Sequence, residues 1–187
     1  ATYSVRIRWR VENFIFICYN AFYIKRKFEV VGDNKMEIIA YEMRFQKDII
    51  EQSNISCVSF EEKYFSTYMH IYNECFYEMR KTLNIEPYNF LNDYEQIKDK
   101  SKDIYLLVEN EEIIGSIACY GNEIDDLIVN KKFQHKGYGK QLLLWGMQCI
   151  RKRNTEPIVL HVAEWNKNAL LLYKKNGFEI TNIEKIR

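Results

Sequence analysis

Seven consecutive residues, Gln134-His135-Lys136-Gly137-Tyr138-Gly139-Lys140, stand between an apolar strand pattern, Glu123–Val129, and an amphipathic stretch, Gly137–Arg153. Glycines let a backbone turn tightly and aim successive N–H groups outward. A helix N-terminus placed there carries about half a positive charge and free donors, so the loop suits a pyrophosphate. The charge pattern points the same way. From Leu127 to Thr155 there is no Asp or Glu, while Lys131, Lys132, Lys136, Lys140, Arg151, Lys152 and Arg153 are all present. The plainer alternative is a Gly-rich turn with a solvated basic face, Arg151–Arg153 complementing a helix C-terminus. Two other phosphate motifs do not match. There is no G-x-x-x-x-G-K-[ST], and Leu142 stands where G-x-G-x-x-G needs its third glycine.

A second chemical cluster lies just upstream, where Glu123, Asp125 and Asp126 crowd one strand. Strict alternation groups Asp125 with Leu127 and Val129, and Asp126 with Ile124 and Ile128. Both carboxylates can face one site only if a bulge intervenes. Otherwise they are a solvated strand end. His70 reads as a half-buried helix-face residue, His161 as strand core and His135 as a decoration of the loop. Cys119, on the strand before the acidic turn, reads as packing.

The elements that must position these residues follow from hydrophobic period. Ile55–Phe60 is a short strand, Glu61–Arg80 a helix and Pro87–Lys98 a second, shorter helix. Ile104–Val108 and Ile113–Tyr120 form a hairpin beside Glu123–Val129. After Gly137–Arg153, Ile158–Ala163 is a strand and Asn166–Asn176 a helix stopped by Gly177. Phe178–Ile186 is the last strand. This order predicts an α/β chain with a mixed sheet and helices on both faces. Upstream, Ser4–Asn13 alternates as a strand, Phe14–Ile24 is ambiguous, and Phe28–Val31 with Met36–Phe45 reads as a hairpin. The polar run Gln46–Asn54 is the candidate boundary, dividing a small, mostly β segment (1–50) from a main domain (51–187).

Composition narrows the classes. The 187 residues carry 27 Lys+Arg against 26 Asp+Glu, a net charge of +1, so no global field draws the chain to nucleic acid or an anionic membrane. No apolar run approaches the roughly 18 residues of a membrane span. Five cysteines without a CxxC or His/Cys cluster imply reduced thiols, a cytoplasmic setting and no metal site.

The loop Gln-x-x-Gly-x-Gly after Ile-Asp-Asp-Leu-Ile-Val resembles motif A of the GCN5-related N-acetyltransferases. A second motif follows: Leu160-His161-Val162, then Asn166-x-x-Ala169-x-x-Leu172-Tyr173, then Gly177-Phe178. The resemblance covers about Ile55 to Arg187. Gln134 replaces the family's more frequent Arg. It implies that fold, acetyl-CoA as acetyl donor, no metal, and direct transfer to an amine in a ternary complex. It also implies roles. Backbone N–H groups from Gln134, His135, Lys136, Gly137, Tyr138, Gly139 and Lys140 would hold the pyrophosphate. Leu127, Ile128 and Val129 would offer main chain to the pantetheine arm. Asn166, otherwise an N-cap, would also bond the arm. Tyr173, otherwise core packing beside Leu172, would protonate the departing thiolate. Asp125 or Asp126 would bind a cationic acceptor or take its proton, since a lysine-like amine has a pKa of about 10.4. Acidic pairs here resemble those of small-amine acetyltransferases, while Tyr72, Phe76, Tyr77, Tyr88, Phe90 and Tyr94 would crowd the acceptor side. Two other readings stay open: a non-catalytic acyl-CoA sensor, and a protein N-terminal or lysine acetyltransferase.

The family follows its Gly-Phe strand with another antiparallel strand, and here only about one strand follows Gly177. Residues Tyr23–Gly32 and Met36–Met43 resemble a family C-terminus, with Lys27 in place of Gly177. The N-terminal segment therefore reads as a degenerate half-domain, or as the tail of an upstream copy in a once-longer tandem protein, with an independent β appendage as the plainer alternative. Its strands are expected to pair with the open sheet, within one chain or across a homodimer.

Overall fold

The computed structural model describes residues 38–186. The expected strand Ser4–Asn13, the ambiguous Phe14–Ile24 and the hairpin arm Phe28–Val31 lie outside the described residues. The elements are β1 (Ile38–Phe45), β2 (Val58–Ser59), α1 (Phe65–Thr82), β3 (Ile104–Glu109), β4 (Glu112–Tyr120), β5 (Glu123–Val129), α2 (Tyr138–Arg153), β6 (Val159–Ala163), α3 (Lys167–Lys175) and β7 (Phe178–Ile186). They build one seven-stranded sheet in the order β2-β3-β4-β5-β6-β1-β7. Its strands are antiparallel except where β5 meets β6. This is the mixed α/β architecture that the element order implied.

Helices cover both faces. Tyr68, Ile71 and Tyr72 of α1 pack with Leu106, Ala118 and Ile128 on one side. Leu143, Met147 and Ile150 of α2, with Leu170 and Tyr173 of α3, pack with Ile117, Ile124 and Leu160 on the other. Gly146 lets α2 lie close against β4, because a Cβ there would stand 2.4 Å from Ile117 Cδ1. Among the described residues, no helix is long and apolar enough to cross a membrane.

Two expectations need correction. Pro87–Lys98 is not an α-helix, and only short 3₁₀ turns form at Tyr94–Gln96 and Lys98–Asp103. Side chains capture the backbone that a helix would use. Asn73 of α1 donates to Leu91 O (2.6 Å) and accepts from Leu91 N (3.0 Å). Asp93 and Gln96 close a capping box. The second concerns the placement of Met36–Phe45 in a segment apart from the main domain. Strand β1 forms, but β6 and β7 occupy its two edges.

The expected boundary at residue 50 therefore follows an inner strand of the same sheet. Beyond β1 the chain straps across α2. Asn54 N donates to Gln141 Oε1 (2.7 Å), Ser53 Oγ to Gln141 O (2.9 Å), and Lys140 Nζ reaches Glu51 Oε1 (2.8 Å).

Candidate active site

The site follows from the one parallel pairing in the sheet. Strands β5 and β6 are in register only at Glu123↔Val159 and Ile124↔Leu160. Past those pairs β6 continues against β1, while the far half of β5 pairs with β4 alone. The two strands splay, and a gap opens along β5. Ile128 is in register with Ser116, and Asn130 N donates to Ile114 O (2.9 Å). Alternation then turns the main-chain groups of Leu127 and Val129 toward the gap. Ile128 is different: its side chain is core and its main chain belongs to β4.

At the far end of β5 the chain enters the loop. His135 (φ +62°) and Gly137 (φ +88°) are both left-handed, and α2 starts at Tyr138. This folds successive N–H groups into a concave nest ahead of the helix. The first-turn donors of α2 at Tyr138, Gly139 and Lys140 have no intrahelical acceptor, as at any helix start. Nothing lies within 4 Å of a Cβ placed on Gly137, and one on Gly139 meets only ordinary contacts with Leu172 and Val129. The loop's face is thus open to a ligand. Gln134 plays a different part from the others: its Nε2 donates to Val129 O (3.0 Å), tying the loop back to β5. Asn166 caps α3 as expected, its Oδ1 accepting from Ala169 N (3.1 Å).

The basic run is less uncompensated than the sequence window suggests. Lys131 pairs with Glu74 (3.8 Å), Lys132 with Glu112 (3.2 Å), Lys140 with Glu51 (2.8 Å) and Arg153 with Asp103 (3.3 Å). The acids come from distant parts of the chain. Lys136 stays on the loop, 5.4 Å from the Phe133 ring.

At the near end of the gap, β5 bulges. Ser116 pairs with Ile128 but Ala118 with Asp125, so Asp126 and Leu127 together face Ile117. Asp126 takes a left-handed conformation (φ +43°), and its N–H donates to Asp125 Oδ1 (2.8 Å). Ile124 packs on the α2 side and Ile128 on the α1 side, so the bulge resets the alternation. Asp125 therefore joins Ile128's face rather than Leu127's. Tyr72, from α1, lies beside Asp126 and favours its charged form. Both carboxyls are buried and face one site.

Burial sets their chemistry. Desolvation, then the neighbouring Asp126 and Glu123, push Asp125 well above the usual carboxylate range. Desolvation also raises Asp126, to about 7, with Lys100 and Tyr72 pulling the other way. The pair therefore holds a proton far longer than exposed carboxylates do. Tyr173 is buried beside Phe178, its ring 6.1 Å away. Desolvation, then the two Asp charges, keep its hydroxyl protonated.

Several neighbours escaped the sequence reading. Lys100, whose Nζ lies 5.4 Å from the Tyr120 ring, supplies the positive charge facing the Asp pair. Nothing in its polar surroundings marks it. Tyr72, which the resemblance put on the acceptor side, is joined by Tyr68, one turn earlier on α1, within charge range of the pair. His161 is a junction rather than core: its Nδ1 meets Glu123 Oε1 at 2.7 Å, and its Nε2 lies 3.8 Å from Glu42 Oε2 of β1. His70 is exposed rather than half-buried, and His135 is exposed on the loop. No cluster of potential metal ligands occurs among the described residues.

The gap, the N–H nest and the buried acid pair all lie along β5 and its continuation into α2. The model of the acetyltransferase (GNAT) family matches residues 65–178. The Bacillus subtilis (strain 168) protein titled "Uncharacterized N-acetyltransferase YvbK" is 28% identical over 122 residues, which are 57% of this chain and 79% of that one. A solved structure from Pyrococcus horikoshii OT3 is 26% identical, with a TM-score of 0.58 over 71% of this chain and 94% of the other. A GNAT-family acetyltransferase from Colwellia psychrerythraea shares the fold at 9% identity, with a TM-score of 0.64; the match covers 80% of this chain but only 55% of that longer one. On the family match across residues 65–178, this chain belongs to the acetyltransferase (GNAT) family.

Proposed function

We propose that the protein transfers an acetyl group from acetyl-CoA directly to the amine of a small cationic molecule. The observation that carries this reading is the single gap that joins the Gln134–Lys140 nest to the buried Asp125–Asp126 pair. The residues present fit acetyl-CoA. The left-handed His135–Gly137 turn and the first-turn N–H groups of α2 suit a pyrophosphate. The gap-facing main chain of Leu127 and the N–H of Val129 suit an amide-bearing arm, which can add there as a strand does, while Val129 O is already held by Gln134 Nε2 (3.0 Å) and Cys75 Sγ (3.4 Å). When bound, acetyl-CoA supplies the activated thioester carbonyl.

The chain's own residues then divide the proton work. The acceptor arrives as an ammonium, with a pKa of about 10.4 for a lysine-like amine. Ionised Asp126 attracts that cation and accepts one proton at its carboxylate, for which a group titrating near neutrality is well matched. Tyr72 and Lys100 hold the carboxylate in place and favour its charged form. Tyr173, kept protonated by burial, donates its hydroxyl proton to the leaving sulfur. Tyr68, Tyr72 and Tyr120, all in contact or charge range of the pair, wall it from water. A carboxylate pair so enclosed favours a small amine over a folded protein's lysine.

The test is a panel of mono-, di- and polyamines and N-terminal peptides, each incubated with acetyl-CoA while coenzyme A release is followed. Turnover confined to small amines supports the proposal. Turnover on peptides alone would overturn the acceptor class, and tight acetyl-CoA binding without turnover on any amine would make the chain a sensor.

A further inference from the structure

On the face of the sheet opposite α1, three thiols that are scattered in sequence come together under the last turns of α2. Cys149 of α2, Cys119 of β4 and Cys57, just ahead of β2, all belong to one packed cluster. Cys119 is fully buried and its Sγ lies 3.8 Å from Gly146 O, one turn before Cys149. Cys149 is half-buried, one turn beyond Gly146 on α2, and packs on the cluster that holds Cys119 and Tyr105. Arg153 sits one helical turn after Cys149. Its guanidinium is fixed by Tyr105, to whose hydroxyl Nη2 donates, and by Asp103 Oδ1 at 3.3 Å. This is a partly accessible thiol packed in one cluster with a second thiol and a tyrosine, with an anchored cation one turn away. Reactive cysteines occupy such surroundings, and purely structural ones do not. None of these groups takes part in the proposed acetyl transfer.

We propose that Cys149 is a nucleophilic, oxidant-sensitive thiol that forms a disulfide with Cys119. The Cys149 thiolate attacks one oxygen of a hydroperoxide. An S–O bond forms, the O–O bond breaks, and the alcohol or water leaves with the proton, giving a sulfenic acid. The Cys119 thiol then displaces the sulfenic hydroxyl, forming the S–S bond and releasing water. Two thiols are oxidised and one peroxide is reduced. The link would tie α2, whose N-terminus forms the nest, to the strand beside the bulge.

The other half-buried thiols set the contrast. The neighbouring Cys119 thiol, then Arg153, Tyr105 and Lys152, lower Cys149 to about 6 against the opposing effect of burial. Desolvation raises Cys57 to about 12 and Cys75 to about 11.

The experiment uses the full chain at pH 7 with limiting iodoacetamide, followed by peptide mapping. Cys149 should be alkylated ahead of Cys75 and Cys57, and Arg153→Gln should slow it about tenfold, the effect of one pKa unit. Hydrogen peroxide should then yield a Cys119–Cys149 peptide that dithiothreitol releases. In Cys119→Ser the same treatment should leave a dimedone adduct on Cys149. Alkylation of Cys149 no faster than that of Cys75 overturns the proposal, as does the absence of a link in the wild-type chain or a link from Cys149 to any other cysteine. The wild-type measurements stand even if a serine variant fails to fold.

Discussion

The two ends of the β5 gap are built in opposite ways. At the far end, the nest is made of backbone from one continuous segment, Gln134–Lys140, shaped by Gly137 and by the start of α2. At the near end, the acid pair takes its properties from burial and from separate elements: Tyr72 of α1 and Lys100 before β3 act on it, and Tyr120 of β4 and Tyr173 of α3 feel its charge. A backbone site needs a local conformation, so a short motif can encode it. A site made by desolvation and distant charges needs the whole fold. Substitutions in the nest should therefore change acetyl-CoA affinity and leave the pH profile alone. Substitutions around the acids should do the reverse.

Removing what both ends share is the harshest test. Deleting residues 1–45 takes β1 from between β6 and β7, baring the β6 edge and leaving β7 without a partner strand. Exposed edges of that kind aggregate. The remainder should be insoluble or lack a cooperative melt; a monodisperse, active remainder would show that β7 can close directly on β6.

Asp126→Asn comes next. It should lower kcat by about 10³-fold, within the range for loss of a general base, while the acetyl-CoA Kd stays unchanged. Its stability should move the other way. Because the folded carboxyl is raised to about 7, the native state binds more protons than the unfolded one between about pH 4 and pH 7. Stability conferred by the protonated form is full below that window and is lost as pH rises through it. The neutral amide escapes this loss, so the variant should melt higher than the wild type at pH 8, and a lower melting temperature there would refute the assignment of burial as the cause.

How much of this was legible in sequence follows the same division. The nest, β5, the N-cap Asn166 and the stop at Gly177 are local features, and each stands where the spacing put it. The bulge was legible only as a condition: alternation said that Asp125 and Asp126 could not share a site without one, and no local signal announced the left-handed Asp126. The basic run misled because a window without acids says nothing of Glu51, Glu74, Asp103 and Glu112, which arrive from other parts of the chain. The helix expected over Pro87–Lys98 failed because Asn73, on another element, holds Leu91. Strand β1 showed its alternation plainly. Its place between β6 and β7 depends on partners more than a hundred residues away, and so does the His161 junction that it completes with Glu42.

Tyr173→Phe separates the two proton roles. The ring and its contact with Phe178 remain, so stability and acetyl-CoA affinity should hold. Loss of the hydroxyl should lower kcat by about 10²-fold. If acetyl thioesters of more acidic thiols, which leave without a proton, restore most of that rate, Tyr173 is the acid; an equal deficit with every thioester would make it a positioning residue. Gly137→Val addresses the other end. A β-branched residue at φ +88° is strained by about 1–3 kcal/mol, so the acetyl-CoA Kd should rise about 10- to 100-fold if the nest opens to relieve it. The acid limb of the pH profile should not move. A shift of that limb would mean that the two ends are coupled.

Lys100→Met is the mildest change and bears most directly on the acid end. Lys100 belongs to neither the nest nor β5, and its charge lowers both Asp125 and Asp126. Without it, the carboxyl that titrates at about 7 must move upward, leaving Tyr72 to oppose desolvation. A general base that titrates higher is protonated over more of the neutral range, so kcat/KM at pH 7 should fall a few-fold. The plateau at high pH should be kept, since the ionised carboxylate is the same group in both proteins. Lys100→Arg should restore the wild-type limb, because it returns the charge without the ammonium. A profile that keeps its acid limb in Lys100→Met would show that the titrating group is not this pair, and Glu123, 2.7 Å from His161 Nδ1, would then be the next carboxylate to replace.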